Sequence, residues 1–246
     1  MLRGIKNAFL FLTILPFPFF KETECLEEDV GKSTAFFPLV GLIKGLILYW
    51  VYLILGGLYP EEVVAVLVLI VYVAITGAFH LDGLSDTFDA LASRKDREDC
   101  LRIMKDSTSG PVGSVSVLLA LLLKAVLFYT AIKKGHAEAL IVFSVAGAWS
   151  MVVSMYYGRA AKTEGLGYLF ISYTGRKQYY VATSIMLLSV LFMASFYRGL
   201  SSVLVCLLGA LLLTALFSRR FGGLTGDTLG TVAEVNELIF LLFYLL

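Results

Sequence analysis

The sequence predicts an all-α fold: a polytopic integral membrane helix bundle of about seven spans, plus a short N-terminal membrane-embedded or interfacial segment. Three observations carry this reading. The 246 residues are 59% hydrophobic, with a mean hydropathy of +0.84. The apolar residues fall in long runs parted by short charged loops, and Lys and Arg crowd into alternate loops. Length leaves room for one domain, residues 1–246, and for no separate soluble module.

The first apolar run, 8–20, follows Arg3 and Lys6, as in a signal peptide. Pro16 and Pro18 interrupt it and no small-x-small cleavage site follows, so it reads as a retained segment. The spans are expected at 35–58, 63–79, 112–132, 138–158, 179–197, 200–217 and 232–246. Each is apolar over about 15–24 residues, near the length that crosses a hydrocarbon core. The sixth is short, and the seventh carries Glu234, Asn236 and Glu237 near its start. Gly41 and Gly45, four apart, form a face that admits a second helix closely. Lys44 and Lys124 lie inside spans, where snorkelling or an interhelical pair suits them better than catalysis. Cys25, Cys100 and Cys206 match no metal or redox spacing and read as packing residues. His136 reads as incidental.

Alternating the loops puts 21–34, 80–111, 159–178 and 218–231 on one side, with most of the Lys and Arg. The other side holds only Lys133, Lys134 and Arg198. The positive-inside rule makes the first side cytoplasmic. A formal net charge of +1 gives no sign of a nucleic-acid partner.

The cytoplasmic loops carry the chemistry. In His80-Leu81-Asp82-Gly83-Leu84-Ser85-Asp86-Thr87-Phe88-Asp89, three carboxylates stand at i, i+4 and i+7, within about 40° of one helical stripe. They repel one another unless a cation sits between them, and oxygen-only ligands favour magnesium, manganese or calcium. A solvated acidic face is the plain alternative. Against it, no basic residue follows until Arg94, and Asp82 directly follows an apolar run.

A second stretch holds Arg102, Lys105 and Asp106 and ends in Gly110 and Gly113 beside the next span. Backbone N–H groups there suit a phosphate, or else a capped helix start. In the third, Asp227, Thr231 and Glu234 repeat the i, i+4, i+7 spacing after a glycine-rich turn. Asp227 as a helix cap is the plain alternative. The topology places both acidic stripes at one membrane face, so they are expected to share a site. Hard-cation ligands, basic loops and glycine turns together suit an integral-membrane phosphotransferase.

The wording of these motifs resembles the cobalamin synthase family, the adenosylcobinamide-GDP ribazoletransferases, whose HLDGLxDTxD signature matches residues 80–89. Five other segments agree in order. They are Phe11-Leu12-Thr13-Ile14-Leu15-Pro16, Phe37-Pro38-Leu39-Val40-Gly41, Met104-Lys105-Asp106-Ser107, Glu164-Gly165-Leu166-Gly167, and Thr225-Gly226-Asp227-Thr228-Leu229-Gly230 with Glu234. Ala90 departs from a usual glycine and Thr108 from a usual arginine.

The resemblance implies a magnesium-dependent enzyme of the cytoplasmic membrane. A ribose hydroxyl of α-ribazole, or of its 5′-phosphate, attacks the cobinamide-side phosphorus of adenosylcobinamide-GDP, and GMP leaves. On that basis Asp82, Asp86 and Asp89 hold metal, one of them also accepting the hydroxyl proton. Asp106, Asp227 and Glu234 serve as further ligands, catalytic groups or substrate contacts. Arg102, Lys105, Arg159 and Lys162 neutralise the diphosphate, and His80, Ser107 and Thr228 complete the substrate contacts. A homo-oligomer, or association with other corrinoid nucleotide-loop enzymes, is left open.

Two other functions compete. A CDP-alcohol-type phospholipid phosphotransferase also uses an acidic stripe, but has an Ala-Arg pair where this chain has Ser85-Asp86. A transporter calls for ionisable groups at mid-membrane, where only Lys124 is central.

Overall fold

Residues 2–16, 27–106 and 108–246 are described by a computed structural model. Pro18, Lys21, Cys25 and Ser107 lie outside them, as does 8–20 beyond Pro16. The described residues are helical throughout, with one isolated parallel bridge between Ala160 and Leu224. In order they form α1 (Leu2–Leu12), α2 (Glu27–Gly31), a 3-10 turn (Lys32–Phe36), α3 (Phe37–Leu55), α4 (Glu61–Thr76) and α5 (Phe79–Ala92). There follow α6 (Arg97–Ile103), α7 (Pro111–Lys133), α8 (Ala139–Tyr157), α9 (Leu166–Tyr173), α10 (Arg176–Met193), α11 (Phe196–Phe221) and α12 (Gly226–Tyr244).

Each expected span is a helix: α3, α4, α7, α8, α10, α11 and α12. By length and apolarity alone, four helices qualify as membrane crossings, or up to five if α4 with α5 is one bent span. The figure of seven therefore exceeds what these two criteria support. α10 falls short because it begins with Arg176-Lys177-Gln178, and α12 because it carries three acids, Asp227, Glu234 and Glu237.

α8 is the spine, buried without a break from Ala139 to Met155. α3 lies against it as the glycine spacing predicts. A side chain at Gly41 would reach 2.5 Å from the Ser144 carbonyl oxygen, and Gly45 abuts the Ile141 backbone. α1 turns Ala8, Phe9 and Leu12 inward and leaves Leu2 and Leu10 exposed, as an interfacial helix does. Phe11 stacks 5.6 Å from Phe37 and packs 4.4 Å from Phe170, fastening the N-terminal segment to α3 and α9.

Gly77 and Ala78 both adopt left-handed backbone, φ 61° and 58°, and this turns α5 by 86° from α4. α5 therefore turns across the bundle instead of continuing α4, and its 14 residues are too few to count as a crossing by themselves. Gly83 is required there, because a Cβ would sit 2.8 Å from the Asp227 carbonyl oxygen. Thr231 ties the same two helices, donating to the Gly83 carbonyl at 3.1 Å.

Lys124 finds its partners in the bundle. Its ammonium donates to Glu234 and Glu237 at 2.7 Å each, and the Tyr72 hydroxyl donates to Glu237 at 2.6 Å and Glu234 at 3.1 Å. Lys44, equally buried, stands 5.9 Å from the Tyr72 ring centroid. Two cations and two anions thus cancel out of reach of water, which is how charges persist in such an interior. At the far end His136 contacts Arg198 and Glu138, so it holds the α7–α8 and α10–α11 turns together.

Candidate active site

The loops predicted to share a face do come together. Arg97 donates to the Ala161 carbonyl at 3.0 Å and Arg220 to the Lys95 carbonyl at 2.7 Å. Two short segments, 159–161 and 223–224, form a ladder through Leu224 N–H to the Arg159 carbonyl at 2.7 Å and Ala161 N–H to the Leu224 carbonyl at 2.9 Å.

Behind this ladder opens a cavity of about 850 Å³. Its walls include Phe11, Phe79 and His80, then Lys105, Lys162 and the 164–168 loop, then Leu224 to Asp227. A smaller hollow of about 440 Å³ continues it past Arg102 and Glu98, sharing Lys105, Lys162 and Glu164. Asp227 lines the cavity from α12, with Lys105, Lys162 and Glu164 on other walls. His80 is buried with its Nδ1 lacking a hydrogen-bond partner among the described residues, so that nitrogen remains free for a ligand.

The acids are not equivalent. Asp82 is exposed and Asp86 half-buried. Burial, then the charges of Asp82, Asp227, Asp89 and Asp106, push the Asp86 carboxyl up from 3.8 to about 7. Such a shift marks a group ready to exchange a proton near neutrality. Asp227 joins this cluster in the first turn of α12, accepting from the Thr225 hydroxyl at 3.3 Å. The cap of α12 is Thr225 rather than Asp227; its hydroxyl accepts from Thr228 N–H at 3.2 Å. Opposite, burial and the neighbouring Lys105 lower the Lys162 pKa.

Several expected residues lie elsewhere. Asp89 accepts the Gly110 and Gly113 N–H groups at 2.7 and 2.8 Å, one on each oxygen. It fastens α5 to the start of α7, where the helix dipole favours a carboxylate. The glycine-rich turn foreseen as a phosphate site thus receives the chain's own carboxylate. Ser85 and Ser109 reinforce the joint at 2.6 Å. Glu234 shares α12's stripe with Asp227 but is buried beside Lys124 and Tyr72, so the two stripes share a site only through Asp227. Thr228 is buried, donating to the Thr225 carbonyl. Arg102 pairs with Asp99 at 3.0 Å on the rim. Arg159 donates to the Gly222 carbonyl at 3.2 Å and lines a different pocket. Asp106 accepts from Thr108 and is exposed, near enough to act on Asp86. Ser107 is outside the described residues.

Sequence reasoning gave no site role to the 164–168 wall or to Phe11 and Phe79. The match of residues 164–167 to a family loop was the available signal for the first. Among the described residues, no three His, Cys, Asp or Glu side chains stand close enough to hold a metal ion as they are.

Comparison with known proteins bears on this arrangement. No solved structure matches the chain. A protein of Geotalea daltonii named adenosylcobinamide-GDP ribazoletransferase is 40% identical over 242 residues, 98% of this chain and 96% of that one. Proteins of the same name from Acetivibrio thermocellus and Clostridium acetobutylicum are each 37% identical. They cover 96% and 94% of this chain, and 94% and 91% of their own lengths. The family model described as cobalamin-5-phosphate synthase matches residues 4–245, a span that takes in α5, the ladder and α12 alike, and the chain belongs to that family.

Proposed function

We propose that this chain is an adenosylcobinamide-GDP ribazoletransferase. It joins adenosylcobinamide-GDP to α-ribazole, or to α-ribazole 5′-phosphate, at the cytoplasmic face of the cell membrane, with release of GMP. The observation that carries this is Asp227 set across one cavity from Lys105 and Lys162, with Asp86 and Asp82 near enough behind it for the three charges to act on one another. It sets groups that move a proton opposite groups that neutralise phosphate.

The residues fit a magnesium ion in their chemistry. The donors are all carboxylate oxygens, and the repulsion that lifts Asp86 to about 7 is what a hard cation relieves. Asp82, Asp86 and Asp227 would hold it once their side chains draw together; Asp89 and Glu234 are committed to other partners. A bound magnesium would supply charge neutralisation at the phosphoryl oxygens.

The chain's own groups do the rest. Lys105 and Lys162 face the diphosphate and lower the cost of charge on the departing GMP. Asp86 takes the proton from the ribose hydroxyl at a carboxylate oxygen. Phe11, Phe79 and Leu224 give the cavity an apolar side that excludes water from the transferred group. The test is release of GMP from adenosylcobinamide-GDP by purified protein in vesicles. The proposal requires that release depend on both α-ribazole and magnesium. GMP release at the same rate without α-ribazole would make the protein a hydrolase and end this reading.

A further inference from the structure

On the other side of the ladder lies an open pocket of about 640 Å³, lined by Arg97, Tyr157, Arg159, Arg219, Arg220 and Gly222 among others. It shares no lining residue with the catalytic cavity. Leu224 and Thr225 face the cavity, whereas Arg159 and Gly222 face this pocket. We infer that it is a phosphate-binding site, and that its occupant is the phosphodiester head group of an anionic bilayer lipid.

The charge demands an anion. Four guanidiniums line the pocket with no carboxylate among them, and none is in an ion pair among the described residues. Arginine cannot shed its proton to relieve the repulsion. Three of the four are instead aimed by backbone carbonyls: Arg97 by Ala161 at 3.0 Å, Arg159 by Gly222 at 3.2 Å and Arg220 by Lys95 at 2.7 Å. Each bond uses one N–H and leaves the others of that fork for a ligand. The floor is built for this. Gly222 is left-handed, φ 77°, and lies against the Arg97 guanidinium, which any side chain there would strike.

Position identifies the source of the phosphate. Leu204, Leu208, Leu212 and Leu216 are all exposed on α11, one per turn. The stripe stops a turn before Arg219 and Arg220. An acyl chain laid along it brings its phosphate to the arginines, at the depth where a bilayer keeps its head groups. A soluble phosphate would make no use of the stripe. The inference does not depend on the transfer reaction proposed above.

The test is lipid retention by the full chain. Protein is reconstituted in phosphatidylcholine vesicles containing phosphatidylglycerol, extracted gently and weighed by native mass spectrometry. Phosphatidylglycerol should be retained over phosphatidylcholine by about tenfold or more, given what each basic residue contributes beside an anionic head group. Arg159→Gln with Arg219→Gln should abolish that preference. Lys177→Gln, an exposed charge outside the pocket, should leave it intact. Should the double variant not fold, Arg219→Gln alone, an exposed side chain, should lower the preference about fivefold. Equal retention of the two lipids by the unaltered protein would overturn the inference. So would an undiminished preference in a folded double variant, or an equal loss in Lys177→Gln. Displacement of the bound lipid by millimolar glycerol phosphate would overturn the assignment to lipid.

Discussion

Gly83→Ala tests whether the α5–α12 joint forms the active site. The added Cβ would stand 2.8 Å from the Asp227 carbonyl oxygen and 2.9 Å from its Cα, where ordinary contact begins at 3.4 Å. Both neighbours are backbone, so no side chain can swing aside. The helices must part by about 0.6 Å, close to the 1 Å misplacement that costs roughly a hundredfold in rate. GMP release should therefore fall about ten- to a hundredfold. Melting temperature should drop only modestly, since overpacking one methyl costs about 1–3 kcal/mol. Gly57→Ala is the control: a Cβ there meets nothing within 4 Å, and both rate and stability should hold. A folded Gly83→Ala protein turning over at the normal rate would refute the claim that Asp82, Asp86 and Asp227 act as one set.

Further outcomes follow from the charges. Asp82→Asn or Asp86→Asn should cut GMP release by about 10²–10⁴ while the protein still inserts and melts normally. In metal-free protein the Asp86 carboxyl is held above its ordinary 3.8, at about 7. Between those values the folded state binds more protons than the unfolded, so stability should fall as pH rises through that window. Thermal melts from pH 4 to 8 should show the slope, and Asp86→Asn should flatten it. Lys124→Met should destabilise the protein by about 3–5 kcal/mol, because it strands two buried carboxylates. Adding Glu234→Gln and Glu237→Gln should restore much of the loss, read as the denaturation midpoint in detergent. In a background lacking Cys25, Cys100 and Cys206, a cysteine at position 95 should resist impermeant reagents outside the cell; ready labelling there would invert the orientation.

Hydrophobic runs located all seven long helices, because a helix packed into an apolar bundle is itself apolar over most of its length. The acidic stripes were legible as to face but not as to depth. Residues seven apart return to the same stripe, yet stand about 10 Å apart along the axis. That rise carries Glu234 from the mouth, where Asp227 lies, down to Lys124 and Tyr72. The same rise carries Asp89 along α5 to the start of α7. The mid-span positions of Lys124 and Tyr72 were the available hint, but pairing them needs tertiary knowledge. Arg159 shows a different limit. Charge counting assigns a loop to a membrane face, whereas the ladder decides which of two pockets each side chain enters.

The Lys124 cluster also bears on how the protein is made. α7 is synthesised 110 residues ahead of Glu234, which at about 5–20 residues per second is a delay of roughly 6–20 s. Through that interval a lone ammonium sits within a hydrophobic helix, a burden of about 2.5–3.5 kcal/mol that the rest of an apolar span can carry. α12 then acts as a keystone. Its carboxylates discharge the waiting lysine, and its first turn delivers Asp227 to α5. The acids of α5 and α12 thus meet only once the last helix has closed the bundle.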